Sequence, residues 1–254
     1  MKKYLILLLS AVCAFADLIH VSAGGQSPIS KAMVLAKPGD TIVLADGKYN
    51  ESVIVSGSVT LYSPNVFGAQ ITGNGRDAVI ELKMNSKISG VAVSGGRNGI
   101  LTKNSGALIE NCYVHSNQGS GILAINRFPT ILNSIISDNL NSGIQGTSIS
   151  SIEGEMRHLT IADNRRNGVE IDGDQRFFMR DCLFFKNGIK AIKIENSELL
   201  NMVNLLIFPE QKEIINSRDD LIARPLFTGK FYQLKDGSPG KNGASDGKDI
   251  GFVR

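Results

Sequence analysis

The chain has 254 residues, of which 42% are hydrophobic, and a formal net charge of +3 at pH 7. So small a charge gives no indication of nucleic acid or another strongly charged partner. The chain contains no tryptophan, which excludes an indole platform for stacking sugars and leaves tyrosine and phenylalanine for that role.

The first 16 residues have the pattern of a secretory signal peptide: two lysines, an apolar run that begins at Tyr4, and Ala14-Phe15-Ala16 before the expected cleavage site. We therefore expect an exported protein, periplasmic or secreted, whose mature chain begins at Asp17. Residues 17–254 are expected to form a single domain. No apolar run in them is long enough to cross a bilayer, so we expect no transmembrane segment after cleavage.

A short capping helix is predicted over residues 27–36, with Ser27 as its N-cap and Pro28 at its first position. We expect this helix to cover the open N-terminal end of the fold described below. Strands are predicted at residues 41–44, 53–55 and 59–61, separated by turns that contain Pro, Gly and Asp.

The organising feature of the chain is a segment, residues 88–208, that repeats every 21 to 25 residues. In each copy, apolar and polar residues alternate with the period of a strand. Three columns of apolar or small residues recur: Val91, Cys112, Ser134, Leu159, Cys182 and Leu205; Val93, Val114, Ile136, Ile161, Phe184 and Ile207; and Ile100, Ile122, Ile144, Val169 and Ile192. Three short strands per coil of about 22 residues predict an all-β, right-handed parallel β-helix, followed by a C-terminal closing segment, residues 209–254.

Two columns of polar residues mark the corners of the coils. One contains Asn117, Asn139, Asn164 and Asn187, and the other contains Asn111, Asn133, His158, Asp181 and Asn204. Asparagine tolerates the left-handed backbone conformation that a sharp corner needs, and its amide can bond to the backbone and to the amide stacked above it. A catalytic residue has no reason to recur once per coil, so we interpret both columns as scaffold, including the neighbouring His158 and Asp181.

Cys112 and Cys182 are predicted to be buried and unlinked. Two cysteines in an exported protein usually form a disulfide. These two share a column but lie three coils apart, about 14 Å at the strand spacing, whereas a disulfide requires Cα atoms within about 7 Å.

The chain resembles the pectate-lyase-like superfamily of right-handed β-helix proteins over nearly its whole mature length. The resemblance lies in the segment from Ala36-Lys-Pro-Gly-Asp to Tyr49, in the asparagine-bearing coils, and in Arg224-Pro-Leu-Phe, Gly237-Ser-Pro and Asp249-Ile-Gly. It implies the fold, but the activity only broadly, since the superfamily includes lyases, hydrolases and epimerases of acidic polysaccharides and members without known chemistry. The Asn-Thr-Asp, Gly-His-Gly and Arg-Ile-Lys motifs of its hydrolases and the Asp-Pro-His-Asp of its alginate epimerases are absent.

The resemblance implies that a substrate would lie along the outer face of the strand after each Gly-apolar turn. Because side chains alternate along a strand, Glu170 and Asp172 face outward if Val169 and Ile171 face inward. Together with the aligned positions of the neighbouring coils, the candidate row consists of Gln145, Thr147, Glu170, Asp172, Lys193 and Glu195.

One irregularity in the repeat supports this location. The interval from Gly143 to Met156 is three residues longer than the corresponding interval one coil earlier, from Gly121 to Ile131. The extra residues predict an enlarged loop, residues 147–155, that walls a groove.

The charges of the row allow three interpretations. Its carboxylates, Glu170, Asp172 and Glu195, could act as the pair of a glycosidase, at expected separations of about 5 to 7 Å. They could instead hold Ca²⁺ against a uronate while Lys193 removes a proton. They could also only solubilise a sheet face through cross-strand ion pairs.

A basic rim is predicted beside the row. Arg165 and Arg166 precede the strand, and Lys190 lies one coil on; such residues would grip the carboxylates of an acidic polysaccharide, although exposed corners also collect basic residues without that role. In earlier coils the same strand points Leu101, Leu123 and Ile125 outward, which would mark a partner surface if no loop covers them.

Two hypotheses for function follow. The first is an exported, non-catalytic β-helix protein that binds carbohydrate or a protein partner in the cell envelope. The second is a polysaccharide lyase that cleaves an acidic, uronate-containing polysaccharide by β-elimination. The missing motifs and the lack of long loops favour the first, and the sequence leaves open whether Ca²⁺ binds.

Overall fold

The computed structural model of the protein describes residues 16–151, 154–173, 177–194, 200–211 and 219–254. The predicted signal peptide therefore lies almost entirely outside the described residues. Within them the chain winds through three parallel sheets, A, B and C, in that order in each complete coil, and each strand pairs with the equivalent strand of the next coil. The predicted parallel β-helix is confirmed.

The strands of sheet A are β1 (Leu18–Val21), β2 (Thr41–Leu44), β5 (Thr60–Tyr62), β8 (Lys87–Ser89), β11 (Leu108–Glu110), β14 (Thr130–Leu132), β17 (Glu155–Arg157), β20 (Phe177–Arg180) and β23 (Leu200–Val203). Those of sheet B are β3 (Gly47–Asn50), β6 (Ala69–Thr72), β9 (Ala92–Ser94), β12 (Tyr113–His115), β15 (Ile135–Ser137), β18 (Thr160–Ala162), β21 (Leu183–Phe185), β24 (Leu206–Ile207) and β25 (Leu221–Ile222). Those of sheet C are β4 (Val53–Val55), β7 (Ile80–Leu82), β10 (Ile100–Lys103), β13 (Ile122–Arg127), β16 (Ile144–Ser151), β19 (Val169–Ile171) and β22 (Ile192–Ile194). A helix, α1 (Pro28–Leu35), a 3₁₀ turn (Pro209–Gln211) and a hairpin of β26 (Phe227–Thr228) and β27 (Gln233–Leu234) complete the described elements.

The core is the interior of the coil, and it consists of the columns that the alternation predicts. Every member of the column that begins at Val91 is fully buried, and the columns that begin at Val93 and Ile100 are buried to within 6% exposure. Cys112 and Cys182 are free and buried, as predicted, and desolvation raises the pKa of each thiol to about 12. Such thiols stay protonated and unreactive in the folded protein.

The two corners of the coil use different residues for the left-handed backbone. Between sheets A and B it falls on the predicted column itself, from Asn111 (φ 52°) to Asn204 (φ 60°). Between sheets B and C it falls one residue before the asparagine, for example on Asp138 (φ 56°) before Asn139, so our conformational reason for that column was wrong. The asparagines are there for their hydrogen bonds: each Nδ2 donates to the Oδ1 of the next, at 2.9 Å, from Asn117 to Asn187.

Helix α1 packs Ile29, Ala32 and Met33 against the first coils and so covers the N-terminal end of the core. Ser27 occupies the predicted N-cap position, but its backbone is left-handed and its side chain makes no capping hydrogen bond. The carboxylate of Glu51 replaces it, accepting hydrogen bonds from the backbone N–H groups of Ile29 and Ser30, both at 2.9 Å.

The predicted loop over residues 147–155 is also different in the structure. Strand β16 continues to Ser151, and the extra residues form a bulge where the register with β13 shifts between Ile125 and Arg127. Ile149, inside the bulge, is 3% exposed and belongs to the core. The excess length is thus absorbed within a strand, where the apolar Ile149 is buried, and residues 152 and 153 lie outside the described part.

The C-terminal segment lies along the outer face of sheet B. We call residues 243–254 the C-terminal strap. Its side chains and backbone bond to the corner between sheets A and B: Gly243 O accepts from Asn204, Ser245 donates to Asp181, Asp246 bonds His158, and Val253 pairs with Asn133 through two hydrogen bonds. All residues of β15 and β18 are buried, and on their outer face Ile135 packs with Phe252 of the strap, whose backbone N–H donates to Thr160.

Candidate ligand-binding groove

The predicted outward row of sheet C is present, with Gln145, Glu170 and Lys193 directly aligned across β16, β19 and β22. Thr147 and Asp172 lie two residues further along their segments, beyond the paired Gly146 and Ile171. Glu195 lies outside the described residues. Within the described part of the row, Glu170 and Lys193 are in direct contact as an ion pair.

Glu170 is the most constrained member of the row. Its Oε2 accepts hydrogen bonds from Ser142 Oγ (2.7 Å) and Asn167 Nδ2 (3.0 Å), and its Oε1 accepts one from Lys193 Nζ (2.9 Å). Burial alone would raise the pKa of the carboxyl, but the bonds from Lys193, Ser142 and Asn167 outweigh burial and lower it to about 2. Glu170 is therefore ionised throughout the ordinary pH range, which makes it unsuited to act as a general acid.

Gln145 is held in the same way one coil earlier. Its Oε1 accepts hydrogen bonds from Ser120 Oγ (2.7 Å) and Asn141 Nδ2 (3.2 Å). Ser120 and Ser142 occupy equivalent corner positions, each directly before the glycine that opens a strand of sheet C. A corner hydroxyl thus orients the first outward side chain of the following coil, and this repeated arrangement indicates a structural role for both side chains.

The predicted basic rim is divided by the structure. Arg165 and Arg166 are both exposed at the corner before β19, but only Arg166 lines a groove. Lys190 is half-buried and has interaction partners of its own. Asp172 is exposed.

The groove itself lies over the earlier coils of sheet C, and we call it the sheet C groove. Its volume is about 820 Å³. Its floor is formed by Leu101, Leu123, Ile125 and Gln145, and its charged residues are Arg76, Asp77, Arg97, Lys103 and Arg166. The corner residues Asn98, Gln118, Gly119, Leu140 and Asn141 form one wall.

The sheet C groove follows the stacking direction of the coils. It runs from the turn at Gly75 to Arg166, across five successive coils, or roughly 19 Å at about 4.8 Å per coil. Four of its charges are cationic and one is anionic, and among the described residues none of the four cations makes an ion pair. The groove is therefore an elongated, electropositive site open to an extended anion.

The sheet C groove is centred two to three coils nearer the N-terminus than the predicted row, which remains a prediction. The apolar stripe of Leu101, Leu123 and Ile125 was identified from the sequence, but Arg76, Arg97, Lys103 and Gln118 were not singled out. The signal that could have found them is the loop from Gly73 to Ala78, where two glycines, an arginine and an aspartate interrupt the strand pattern next to that stripe.

A metal centre has no visible basis in the described residues. In residues 16–151, 154–173, 177–194, 200–211 and 219–254, no group of three or more His, Cys, Asp or Glu side chains is arranged to hold an ion. The prediction of possible Ca²⁺ binding involved Glu195, which lies outside those ranges. Within the same ranges, no helix combines the length and apolar character needed to span a bilayer.

A second cleft, of about 570 Å³, lies on the outer face of sheet A. It contains the ring of Phe178, which is 48% exposed, and the ion pair of Arg180 with Glu155 at 2.6 Å. Arg180, the one cation among the lining residues of this cleft, is thus neutralised, in contrast to the cations of the sheet C groove.

Comparison with solved structures identifies the fold. Pectate lyase Pel9A superposes with a TM-score of 0.54 and 12% identity, over 95% of this chain and 97% of that chain. The alginate lyase from Paenibacillus sp. str. FPU-7 gives a TM-score of 0.48 and 16% identity, over 75% of this chain and 87% of that chain. At 12% identity, the similarity to Pel9A shows the fold alone.

No curated protein sequence matches the chain significantly. The model of the right-handed β-helix region matches residues 49–206, which is more than half of the chain and includes all but the last two residues of the predicted regular coils. This match agrees with the three stacked sheets and confirms both the predicted fold and its handedness. The chain belongs to the right-handed β-helix family.

Proposed function

We propose that this protein binds an acidic polysaccharide in the sheet C groove and does not cleave it. The observation that carries the proposal is the set of four cations around the groove, Arg76, Arg97, Lys103 and Arg166, without an ion pair among the described residues. Unpaired cations that lie close together in a concave site repel each other, which is unfavourable. Such a cluster therefore favours the binding of an anion that neutralises it.

The shape of the groove supports a polymeric ligand. At roughly 19 Å it is long enough for several sugar units laid along the coil axis. The three guanidinium groups can each donate two parallel hydrogen bonds to a carboxylate, which suits a uronate better than a neutral sugar.

The chemistry of the predicted row argues against catalysis there. A lyase needs a base that takes a proton next to the uronate carboxylate. An amine accepts a proton only when it is neutral. Lys193 Nζ instead donates a hydrogen bond to Glu170 Oε1, so this geometry does not present Lys193 as the base. The carboxylate of Glu170, with its pKa lowered to about 2, is a weak base.

We further propose that the protein works outside the cytoplasm, on the basis of residues 1–16. Expression with the complete N-terminus, followed by intact-mass measurement of the protein recovered from the periplasm and the medium, tests this point. A recovered chain that begins at Asp17 is the expected result, and a chain that keeps residue 1 in the cytoplasm would contradict it.

The binding proposal is tested by calorimetry with a panel of polyuronates at several salt concentrations. The variant Arg97→Ala with Arg166→Ala should bind about tenfold more weakly, since each exposed charge contact contributes up to about 1 kcal/mol, and its affinity should depend less on salt. A matched control is Lys48→Ala with Lys230→Ala, which removes two exposed cations outside the groove.

Two outcomes would overturn the proposal. Equal affinity of the groove variant and the control for a polyuronate that the wild type binds would place the site elsewhere. A rise in ultraviolet absorbance from an unsaturated product, with or without Ca²⁺, would identify the protein as a lyase instead.

A further inference from the structure

The floor of the sheet C groove is aliphatic where its cations are densest. Leu101 and Leu123 are directly aligned on neighbouring strands, and Ile125 lies two residues along from Leu123, aligned with Lys103. All three aliphatic side chains are half-buried and remain in contact with solvent. Together they form one continuous apolar patch, which we call the groove patch.

The groove patch is confined to two coils. On the same row, the preceding strand carries Glu81, and the following strands carry Gln145, Glu170 and Lys193. The outer face of a solvated sheet is expected to be polar, as it is at these other positions. One strand before Glu81 the row also carries the exposed Ile54, but Glu81 separates it from the patch. Leu101 and Leu123 are therefore directly adjacent apolar residues on this row, at the place where Arg97 and Lys103 line the groove.

A plain polyuronate satisfies the cations of the groove but has no substituent that matches the groove patch. Its hydroxyl and carboxylate groups would lose water against Leu101 and Leu123 without gaining hydrogen bonds there, which is unfavourable. A short apolar substituent would instead remove the aliphatic side chains from water, while free carboxylates on the same chain pair with the arginines.

Resting on the proposed function, the geometry points to a narrower ligand class: an acidic polysaccharide that carries small apolar esters, such as O-acetyl groups on its hydroxyls, with its carboxylates left free. Esterification of the carboxylates themselves would remove the charge that the cations require. The groove patch binds the ester groups, and Arg97 and Arg166 bind the carboxylates.

The test compares one O-acetylated polyuronate with the same preparation after mild alkaline de-O-acetylation, so that chain length and charge are matched. The wild type should bind the acetylated form at least fivefold more tightly by calorimetry. Leu123→Asn should bring this ratio close to one by weakening binding of the acetylated form only. Leu101→Asn serves as a second variant, and Leu35→Asn, at an exposed position of α1, is the control that should keep the ratio.

The outcomes separate this inference from the proposed function. If the wild type binds both forms equally, and Arg97→Ala with Arg166→Ala still weakens binding, the ester inference is overturned while polysaccharide binding stands. If neither form binds, the proposed function itself fails. A ratio that persists in both Leu123→Asn and Leu101→Asn would move ester recognition away from the groove patch.

Discussion

Asn139 uses its whole side chain inside the protein. Its Nδ2 donates to Asn164 Oδ1 and to Ser137 O, both at 2.9 Å, and its Oδ1 accepts from the Nδ2 and the backbone N–H of Asn117. The side chain is fully buried. Removing it would leave several buried polar groups without partners, which is more unfavourable than losing one exposed hydrogen bond.

We predict that Asn139→Ala lowers the free energy of unfolding by about 1 to 3 kcal/mol. Chemical denaturation followed by circular dichroism measures the change. Asn201→Ala is the matched control, because Asn201 is exposed at a strand position and should change stability by less than about 0.5 kcal/mol. Equal effects of the two substitutions would show that the buried asparagine column contributes little.

Glu170 makes stability depend on pH in a defined direction. Its folded-state pKa of about 2 lies below the ordinary value for a glutamate, so ionised Glu170 stabilises the folded protein at pH values above that ordinary value. This stabilisation is lost as the pH falls from about 4.5 to about 2. Because the carboxylate of Glu170 remains partly accessible, we expect its ionisation to contribute about 1 to 2 kcal/mol to the free energy of unfolding.

Accordingly, Glu170→Gln should be less stable than the wild type at pH 7, and the difference should shrink as the pH falls through that window. Denaturation curves at a series of pH values measure it. Asp172→Asn, at an exposed position, should show little difference at any pH. A constant difference between wild type and Glu170→Gln down to pH 2.5 would contradict the assigned ionisation.

At the scale of elements, the N-terminus of α1 shows what sequence alone could not provide. Ser27 before Pro28 has the expected residue types for a cap, and the helix was predicted within one residue at each end. The actual cap, Glu51, is 22 residues from Ile29 and reaches it only because the first coil returns the chain to that point. Local patterns contain no information on such a contact.

We predict that Glu51→Ala lowers stability by about 1 to 2 kcal/mol and accelerates hydrogen exchange at the amides of Ile29 and Ser30, whose partner it removes. Mass spectrometry or NMR of the exchanging amides measures this directly. Ser27→Ala should leave both stability and exchange unchanged. The reverse ranking of the two variants would restore Ser27 as the cap.

On sheet C, the predicted alternation of inward and outward residues was confirmed, whereas the predicted loop over residues 147–155 was not. The inward and outward alternation was predictable because the strand period of two is strict, and Gln145, Glu170 and Lys193 lie in one row as expected. The three extra residues before Met156 could not be assigned from spacing, since insertions in loops and bulges change the spacing equally. The apolar Ile149 among serines was the available signal that the insertion remained in the strand.

The position of the sheet C groove was harder to predict than the fold. A groove forms where the corners of the coils project beyond the sheet. The repeat pattern shows only the positions that the coils have in common, so it does not predict how far each corner projects. The residues that distinguish the sheet C groove, such as Arg76 and Lys103, occur at positions where the repeat is least regular.

For the whole molecule, the outer face of sheet B is part of a second, smaller core. Phe252 is 4% exposed and packs with Phe67, whose ring centroid lies 5.4 Å away, over Ala92 and Ile135. Its backbone N–H donates to Thr160 Oγ1 at 2.9 Å. The last residues of the strap thus join the first half of the solenoid to the second.

We predict that Phe252→Ala lowers the free energy of unfolding by about 3 kcal/mol or more, as expected for truncation of a buried aromatic ring. Thermal and chemical denaturation measure the loss. Leu226→Ala, which truncates an exposed side chain in the same C-terminal region, should have little effect. A small effect of Phe252→Ala would mean that the strap contributes little to stability.

Three consecutive strap residues bond to three consecutive coils: Gly251 N–H to Asp181 O, Phe252 N–H to Thr160 Oγ1, and Val253 N–H to Asn133 Oδ1. Gly251 also has no room for a side chain, because a Cβ there would lie 2.7 Å from Thr160 Oγ1. Repeat proteins commonly diverge by gaining or losing whole repeats. Here the loss of one coil between Asn133 and Asp181 would remove or displace a hydrogen-bond partner of the strap. This part of the solenoid can therefore change in length only if the strap changes with it.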